Sequence, residues 1–283
     1  MILVFVPGLS RTSYGATRWI GIGSFTIQPS EIAKFCLVFF LAGYLADGDK
    51  LSKFKHILIT LSLGGIYCVL IMLEPNMSIT MCVALVMVAM MFIGGAKIRH
   101  LAMCLLPLAV AVPLLIAVEP YRMARLMAYL DPWASPKGEG YQLIQSFYAL
   151  GSGGWFGVGL FNSRQKFDFL PFAESDFIFA VIGEEIGFVG AVGVLCLYAA
   201  LIYFGVKIAR NAVSRFQCYL ASGVTCVIAI QTLLNIAVVT GTIPPTGLPL
   251  PFVSSGGTSL MVFMAAAGVL VSAYRNSVKN RVA

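Results

Sequence analysis

The sequence predicts an all-α fold, a polytopic transmembrane helical bundle with a large ordered loop on its outer side. Three observations predict it. The 283-residue chain is 59% apolar and only 11% charged, whereas a soluble domain carries about a quarter charged residues. Several stretches approach the roughly 20 apolar residues that cross a hydrocarbon core as a helix. Basic residues gather in alternate connections between those stretches, as the bias of Lys and Arg towards one side of a membrane requires. A water-soluble globule is excluded, because the chain has too few polar residues to cover its exterior.

The first candidate span, 29–46, carries Glu31 and Lys34 near its start. Residues 57–73, 77–96 and 101–118 follow, then a long connection at 119–176, then 177–206, 216–239 and 258–274. No charged residue occurs from Phe216 to Tyr274. Lys50, Lys53 and Lys55 share one connection, Lys97 and Arg99 another, Lys207, Arg210 and Arg215 a third, and Arg275, Lys279 and Arg281 the tail. These alternate connections hold more than half of the 19 basic residues. They therefore face the cytoplasm, the C-terminus with them. Nearly all acidic residues apart from Asp47 and Asp49 then lie at or near the outer face. On this topology the chain starts outside with a short apolar stub, 1–6, so one or more helices are expected to precede it in a complete protein. No cleavable leader is visible in that stub, which lacks a basic start.

The net charge of +7 comes with no Lys/Arg-rich run, so topology explains it better than nucleic acid does. The cysteines at 36, 68, 82, 104, 196, 218 and 226 all lie in apolar stretches without a CxxC pair, which favours packing over disulfides or zinc. His56 and His100 sit apart, so a histidine-based metal site is not expected.

The connection 119–176 is far longer than an ordinary loop, and such loops are usually functional or disordered. Its aromatic content (Trp133, Tyr141, Phe147, Tyr148, Trp155, Phe156, Phe161, Phe167, Phe169) argues for order. Residues 141–150 read as a short helix ended by Gly151-Ser152-Gly153-Gly154. Gln142 and Gln145 would share a face of it, as would Arg122 and Arg125 if their segment is helical. A second outer loop, 240–257, contains Pro244, Pro245, Pro249 and Pro251 and no charge. It is expected to be stiff and partly embedded, which is tolerated only against protein or a water-filled cavity.

Four segments carry a resemblance. GATRWIGIGSFTIQPSEIAKF (15–35), DPWASPKGEGYQLIQSFYALGSGGWFGVGL (131–160), FLPFAESDFIFAVIGEEIGF (169–188) and NIAVVTGTIPPTGLPLPFVSSGGTS (235–259) resemble, in colinear order, the SEDS family of FtsW, RodA and SpoVE. GYQLIQS, GGWFGVGL and NSRQKF look more like the FtsW/SpoVE branch. Departures are Glu74-Pro75-Asn76 for the family's QPD or EPD, the run Pro171 to Asp176 for a PEAHTD-like motif, and Ser254-Ser255-Gly256-Gly257 for SYGG. The resemblance implies ten transmembrane helices with both ends cytoplasmic, of which this chain would begin near the outer end of the third. It also implies a bacterial cytoplasmic-membrane peptidoglycan glycosyltransferase with an outward-facing site. Such an enzyme polymerises lipid II beside a class B penicillin-binding protein.

That reaction needs one carboxylate as general base towards a sugar hydroxyl. It needs cations, Arg, Lys or a divalent metal such as Mg or Mn, for the departing pyrophosphate. Asp176, at the entry to the 177–206 span, matches the acid of the family motif and is the candidate base. Position alone favours a helix cap by Asp176 or Ser175, and the two roles can coexist. Glu184 and Glu185 would lie roughly 12 Å deeper along the same helix, where a charge costs about 2.5–3.5 kcal/mol. They are expected to face the bundle, either in a structural polar network or in the site. Glu31 and Lys34 suit an intrahelical pair, and the family motif adds that they line the cavity. Arg18 beside Trp19 matches the family's RWI, and Arg122 and Arg125 suit phosphate oxygens as paired forks. Lys166 joins the outer cations, Arg164 suits headgroup snorkelling, and Asp168 is a secondary candidate for metal or partner contact. Glu74 and Asn76 are weak candidates. Two other classes remain open: a flippase for a lipid-linked precursor, and a truncated, non-catalytic scaffold that binds a penicillin-binding protein.

Overall fold

The computed structural model describes residues 1–283 apart from 7–8, 14–15, 23–24, 49–50, 52, 119 and 283. A 3-10 turn (Ile2–Phe5) leads into strands β1 (Ser10–Ser13), β2 (Ala16–Ile22) and β3 (Phe25–Ile27). Helices follow as α1 (Pro29–Ala46), α2 (Phe54–Leu73), α3 (Met77–Ile93), α4 (Ile98–Val118), α5 (Pro120–Leu130), α6 (Tyr141–Gly153), α7 (Ile178–Arg210), α8 (Arg215–Val239) and α9 (Gly257–Val282). Helix covers 29–46, 57–73, 101–118, 216–239 and 258–274 throughout and most of 77–96 and 177–206. Among the described residues α1, α2, α7, α8 and most of α9 are long and apolar enough to cross a membrane, and α3 is a shorter apolar helix.

The strands are an addition to the all-helical expectation. They form an antiparallel meander, with Arg11 opposite Trp19 and Ile20 opposite Ile27. Alternation over so few residues is too short to stand out from the apolar stub beside it. The sheet is anchored at its end, where the Thr258 hydroxyl donates to the Thr26 carbonyl at 3.1 Å and accepts from the Gln28 amide at 3.3 Å.

The chain divides into two compact units. The first comprises Met1–Cys104, Leu201–Ile230 and Gly256–Ala283. Pro29 opens α1 at a position where a missing N–H costs nothing. Asn76 caps α3 by accepting from the Ile79 amide at 3.2 Å. Small residues allow close helix approach within this unit: a Cβ added at Gly223 of α8 would sit 2.5 Å from Val38 and 2.9 Å from Met90.

The second unit comprises Leu105–Ala200 and Gln231–Ser255. Its core joins Phe177, Phe179 and Val181 to Val238 and Val239 of α8 and Leu250 of the proline-rich loop. At 33 residues α7 is about 50 Å long, well beyond the roughly 30 Å hydrocarbon thickness. It is not one straight rod. Gly187 has φ 68° and ψ −170°, so the helix breaks there. Residues 188–210, about 34 Å of helix, are enough for a span by themselves. The short half, 178–186, precedes that span and carries Glu184 and Glu185. This places them differently from the single uninterrupted helix the sequence suggested.

Candidate functional site

Asp176 stands on a tight turn. Phe172 adopts φ 57°, and its carbonyl accepts from the amides of Ser175 at 3.1 Å and Asp176 at 3.2 Å. α7 begins only beyond this turn, with the Phe177 carbonyl accepting from Ala180 at 2.9 Å. The Ser175 hydroxyl turns back to the Phe172 carbonyl at 3.4 Å. The turn is then held from the proline-rich loop and from α8. Asn235 donates from Nδ2 to the carbonyls of Asp176 (2.8 Å) and Leu248 (2.7 Å). The Ser254 hydroxyl donates to the Ser175 carbonyl at 2.5 Å and accepts from the Leu250 amide at 2.7 Å. The Ser255 amide donates to the Glu174 carbonyl at 2.8 Å. Gln231 donates to the Pro249 carbonyl at 2.8 Å, and the Tyr198 hydroxyl to that of Pro251. Gly247 lies so close that an added Cβ would be 3.1 Å from Asp176 Oδ2. The result is a half-buried carboxylate whose own backbone is fixed on several sides.

The positioning residues Asn235, Ser254 and Gly247 were not anticipated. One signal was present: Gln231 and Asn235, four apart on one face of an uncharged apolar helix, are polar groups with no reason to be there unless they bond to something. Asn235→Leu leaves the Asp176 and Leu248 carbonyls without this donor. A loss of about 2–5 kcal/mol is expected, read as a lower melting temperature in detergent.

The long loop supplies the rest of this unit. Gln142 of α6 donates to the Pro171 carbonyl at 3.1 Å, steadying the start of the Asp176 turn. Gln145 is half-buried on the same helix. α5 is the helix expected for Arg122 and Arg125. Arg125 pairs with Glu139 at 3.6 Å, partly exposed, while the side chain of Arg122 lies outside the described residues, as does that of Asp168. Lys166 lies over the rings of Phe161 (5.9 Å) and Phe167 (5.3 Å).

Glu184 is buried and fully engaged with this loop. It accepts from the Ser163 hydroxyl at 2.5 Å and the Arg164 amide at 3.2 Å. Ser163 in turn accepts from the Lys166 amide at 3.0 Å. Around the α7 break, backbone pairs with backbone. Val158 and Gly159 donate to the carbonyls of Glu184 and Glu185, both at 3.0 Å, and Phe188 and Val189 donate to those of Gly154 (2.8 Å) and Trp155 (3.1 Å). These bonds satisfy groups that the break frees from the helix ladder. Glu184 therefore acts as a latch for residues 158–164. Glu185, also buried, directs Oε1 where no protein group bonds it.

The remaining predicted site residues belong to the first unit. Glu31 and Lys34 form a buried pair at 2.9 Å on α1, each 1% exposed, with the ammonium 4.8 Å from the Phe263 ring centroid. The guanidinium of Arg18 donates to the carbonyls of Glu74 (3.3 Å) and Pro75 (2.5 Å), tying β2 to the α2–α3 turn. Trp19, half-buried, follows it on the strand. Glu74 itself is fully buried, with the Ser30 side chain as its hydrogen-bonding neighbour. Burial pushes its pKa up to about 7, against the opposing pull of the Met1 ammonium, the Ser30 hydrogen bond and, least, the charge of Arg18. Between the ordinary glutamate value of about 4.3 and about 7, the folded state holds a proton that the unfolded state has released. Stability from this group is thus greatest at low pH and falls as pH rises through that window. The melting temperature is expected to drop by a few degrees between pH 5 and pH 8, and Glu74→Gln to remove the drop.

Among the described residues no cluster of three His, Cys, Asp or Glu is placed to hold a metal ion. A magnesium-like ion bound mainly through substrate phosphates needs only one or two carboxylates.

Comparison with known proteins bears on the whole chain. A family model described as "Cell cycle protein", covering FtsW, RodA and SpoVE, matches residues 1–279. Stage V sporulation protein E of Bacillus subtilis is 41% identical over 281 residues, 98% of this chain and 76% of that protein. A probable peptidoglycan glycosyltransferase FtsW of Thioalkalivibrio sulfidiphilus is 40% identical over 288 residues, 99% of this chain and 71% of that protein. Among solved structures, a chain of a peptidoglycan synthase complex, described as coordinating polymerization and crosslinking, superposes with TM-score 0.77 at 31% identity, over 98% of this chain and 78% of that one. The rod shape determining protein RodA of Thermus thermophilus gives TM-score 0.66 at 26% identity, over 98% and 75%. With a matching model along nearly its full length and these relatives at 40% identity, the chain is a multi-pass membrane protein that belongs to the FtsW/RodA/SpoVE family.

Proposed function

We propose that this chain is a peptidoglycan glycosyltransferase that polymerises lipid II at the outer face of the bacterial cytoplasmic membrane. The observation that carries the reading is the half-buried Asp176 carboxylate on a backbone held by Asn235, Ser254 and Ser255. The charge pattern supports a cytoplasmic C-terminus and an outward site. The name of the FtsW relative supports the reaction class.

In the reaction, a sugar 4-hydroxyl of one unit attacks the anomeric carbon of another. Asp176 takes the hydroxyl proton as the new C–O bond forms. The bond to pyrophosphate breaks on the opposite side, so the α-linked donor becomes a β-linked polymer. The lipid pyrophosphate leaves with the electron pair and needs no proton from a second acid. Its charge calls for cations. Arg122 and Arg125 on α5 belong to the unit of Asp176, and Arg125 would exchange Glu139 for phosphate oxygens. Lys166 lies in the same unit. A Mg or Mn ion, where one takes part, would travel on the pyrophosphate and neutralise part of its charge. A class B penicillin-binding protein, crosslinking the product, is the proposed partner; the related synthase complex supports that pairing.

The test is direct. Purified chain in detergent, given lipid II, is expected to yield glycan strands that a muramidase degrades. A chain that makes no polymer but moves lipid II across vesicle membranes is a carrier, and one that does neither while binding the penicillin-binding protein is a scaffold.

A further inference from the structure

The break in α7 fixes a level in the membrane. Residues 188–210 end in Lys207 and Arg210, which snorkel to one boundary. Their length of about 34 Å puts Phe188 and Gly187 at the opposite boundary. The segment Gly154–Gly159 is bonded to this level through its backbone, from the Gly154 carbonyl to Phe188 and from the Gly159 amide to Glu185. Its backbone therefore lies level with the break.

The aromatic side chains here are not packed inward. Trp155 is 69% exposed, Phe156 82%, Phe161 75% and Phe167 69%. Trp155 meets Phe188 of the span edge to face, with centroids 5.4 Å apart, so the aromatic surface is continuous with the apolar face of the helix. Lys166, over Phe161 and Phe167, adds a cation beside the rings. Nor is the surface a loose loop: the backbone ladder holds one end, and the Glu184–Ser163 latch the other. Aromatic rings with a neighbouring cation, held rigidly at the edge of a span, match the chemistry of the bilayer interface, where amphipathic rings settle at headgroup level.

We propose that residues 155–167 form a rigid aromatic plate that seats in the interfacial zone of the bilayer next to α7, with Lys166 towards the lipid phosphates. The plate, rather than the helix alone, then fixes how deep the Asp176 unit rides relative to the headgroups. This is independent of the polymerase reading, since it rests only on α7 spanning the membrane.

The experiment uses Trp155 as its own reporter. The full chain and its Trp155→Phe variant are placed in phosphatidylcholine–phosphatidylglycerol vesicles, plain or brominated at acyl carbons 6,7 or 11,12. Their difference spectrum isolates Trp155 from Trp19 and Trp133. The 6,7-brominated lipid is expected to quench the difference signal at least two-fold, and more than the 11,12-brominated lipid. A second variant, Trp155→Phe with Phe161→Trp, moves the reporter along the plate and should quench alike. Emission unaffected by either brominated lipid at both positions overturns the proposal. So does emission that responds only when a partner protein is added, which would make the plate a protein-docking surface.

Discussion

Asp176→Ala is expected to lower glycan polymerisation from lipid II by about 100-fold to 10,000-fold, the usual range for loss of a positioned general base. The same variant should insert, fold and melt as the unaltered chain does. The geometry explains the separation. The turn that carries Asp176 is held by main-chain carbonyls accepting from Asn235 and Ser254, and these bonds survive removal of the carboxylate. Near-normal strand synthesis by the Ala variant, followed on gels of labelled product, would remove Asp176 from the chemistry. A matching collapse in melting temperature would assign it to structure instead.

Gly187→Ala should cost more than about 3 kcal/mol of stability. At φ 68° and ψ −170° the backbone lies in a region that is essentially glycine-only, worth about 1–3 kcal/mol of strain for any other residue. The added Cβ would also collide with the backbone of Phe156 and Gly157. A flexible side chain could swing aside, but these backbone atoms are fixed by their bonds to 185 and 188. Gly193→Ala, six residues on in the same helix, is the control. An added Cβ there meets nothing within 4 Å, so the change should be neutral or stabilising by up to about 1 kcal/mol. Thermal unfolding of both variants in detergent checks the contrast, and equal behaviour would mean that α7 is unbroken at Gly187.

The helices were legible because long apolar runs of this kind have few alternative explanations. α1 lies at 29–46 in both the sequence reading and the structure. The Glu31–Lys34 pair was readable from helical spacing, and the motif around Asp176 was enough to make it a candidate. The α7 break was not readable. Gly187 sits in a sequence otherwise suited to continuous helix, and only the backbone of Gly154–Gly159 arriving from more than 25 residues earlier makes a break tolerable. For the same reason Glu184 looked like a deep charge awaiting a partner, when its partners are Ser163 and Arg164 of the preceding loop. Asn235 was hidden likewise, since what it bonds to is carbonyls, which every sequence contains. Local pattern reports helices well. It reports poorly those positions whose role is to satisfy another segment's backbone.

The most direct measurement compares Asp176→Asn with the unaltered chain for lipid II binding and for single-turnover bond formation in the same detergent preparation. The amide keeps the shape of the side chain and loses its basicity. Equal affinity for lipid II with bond formation slowed at least 100-fold is the predicted result. Bond formation at the unaltered rate, or a loss of affinity large enough to account for the whole loss of rate, would contradict it.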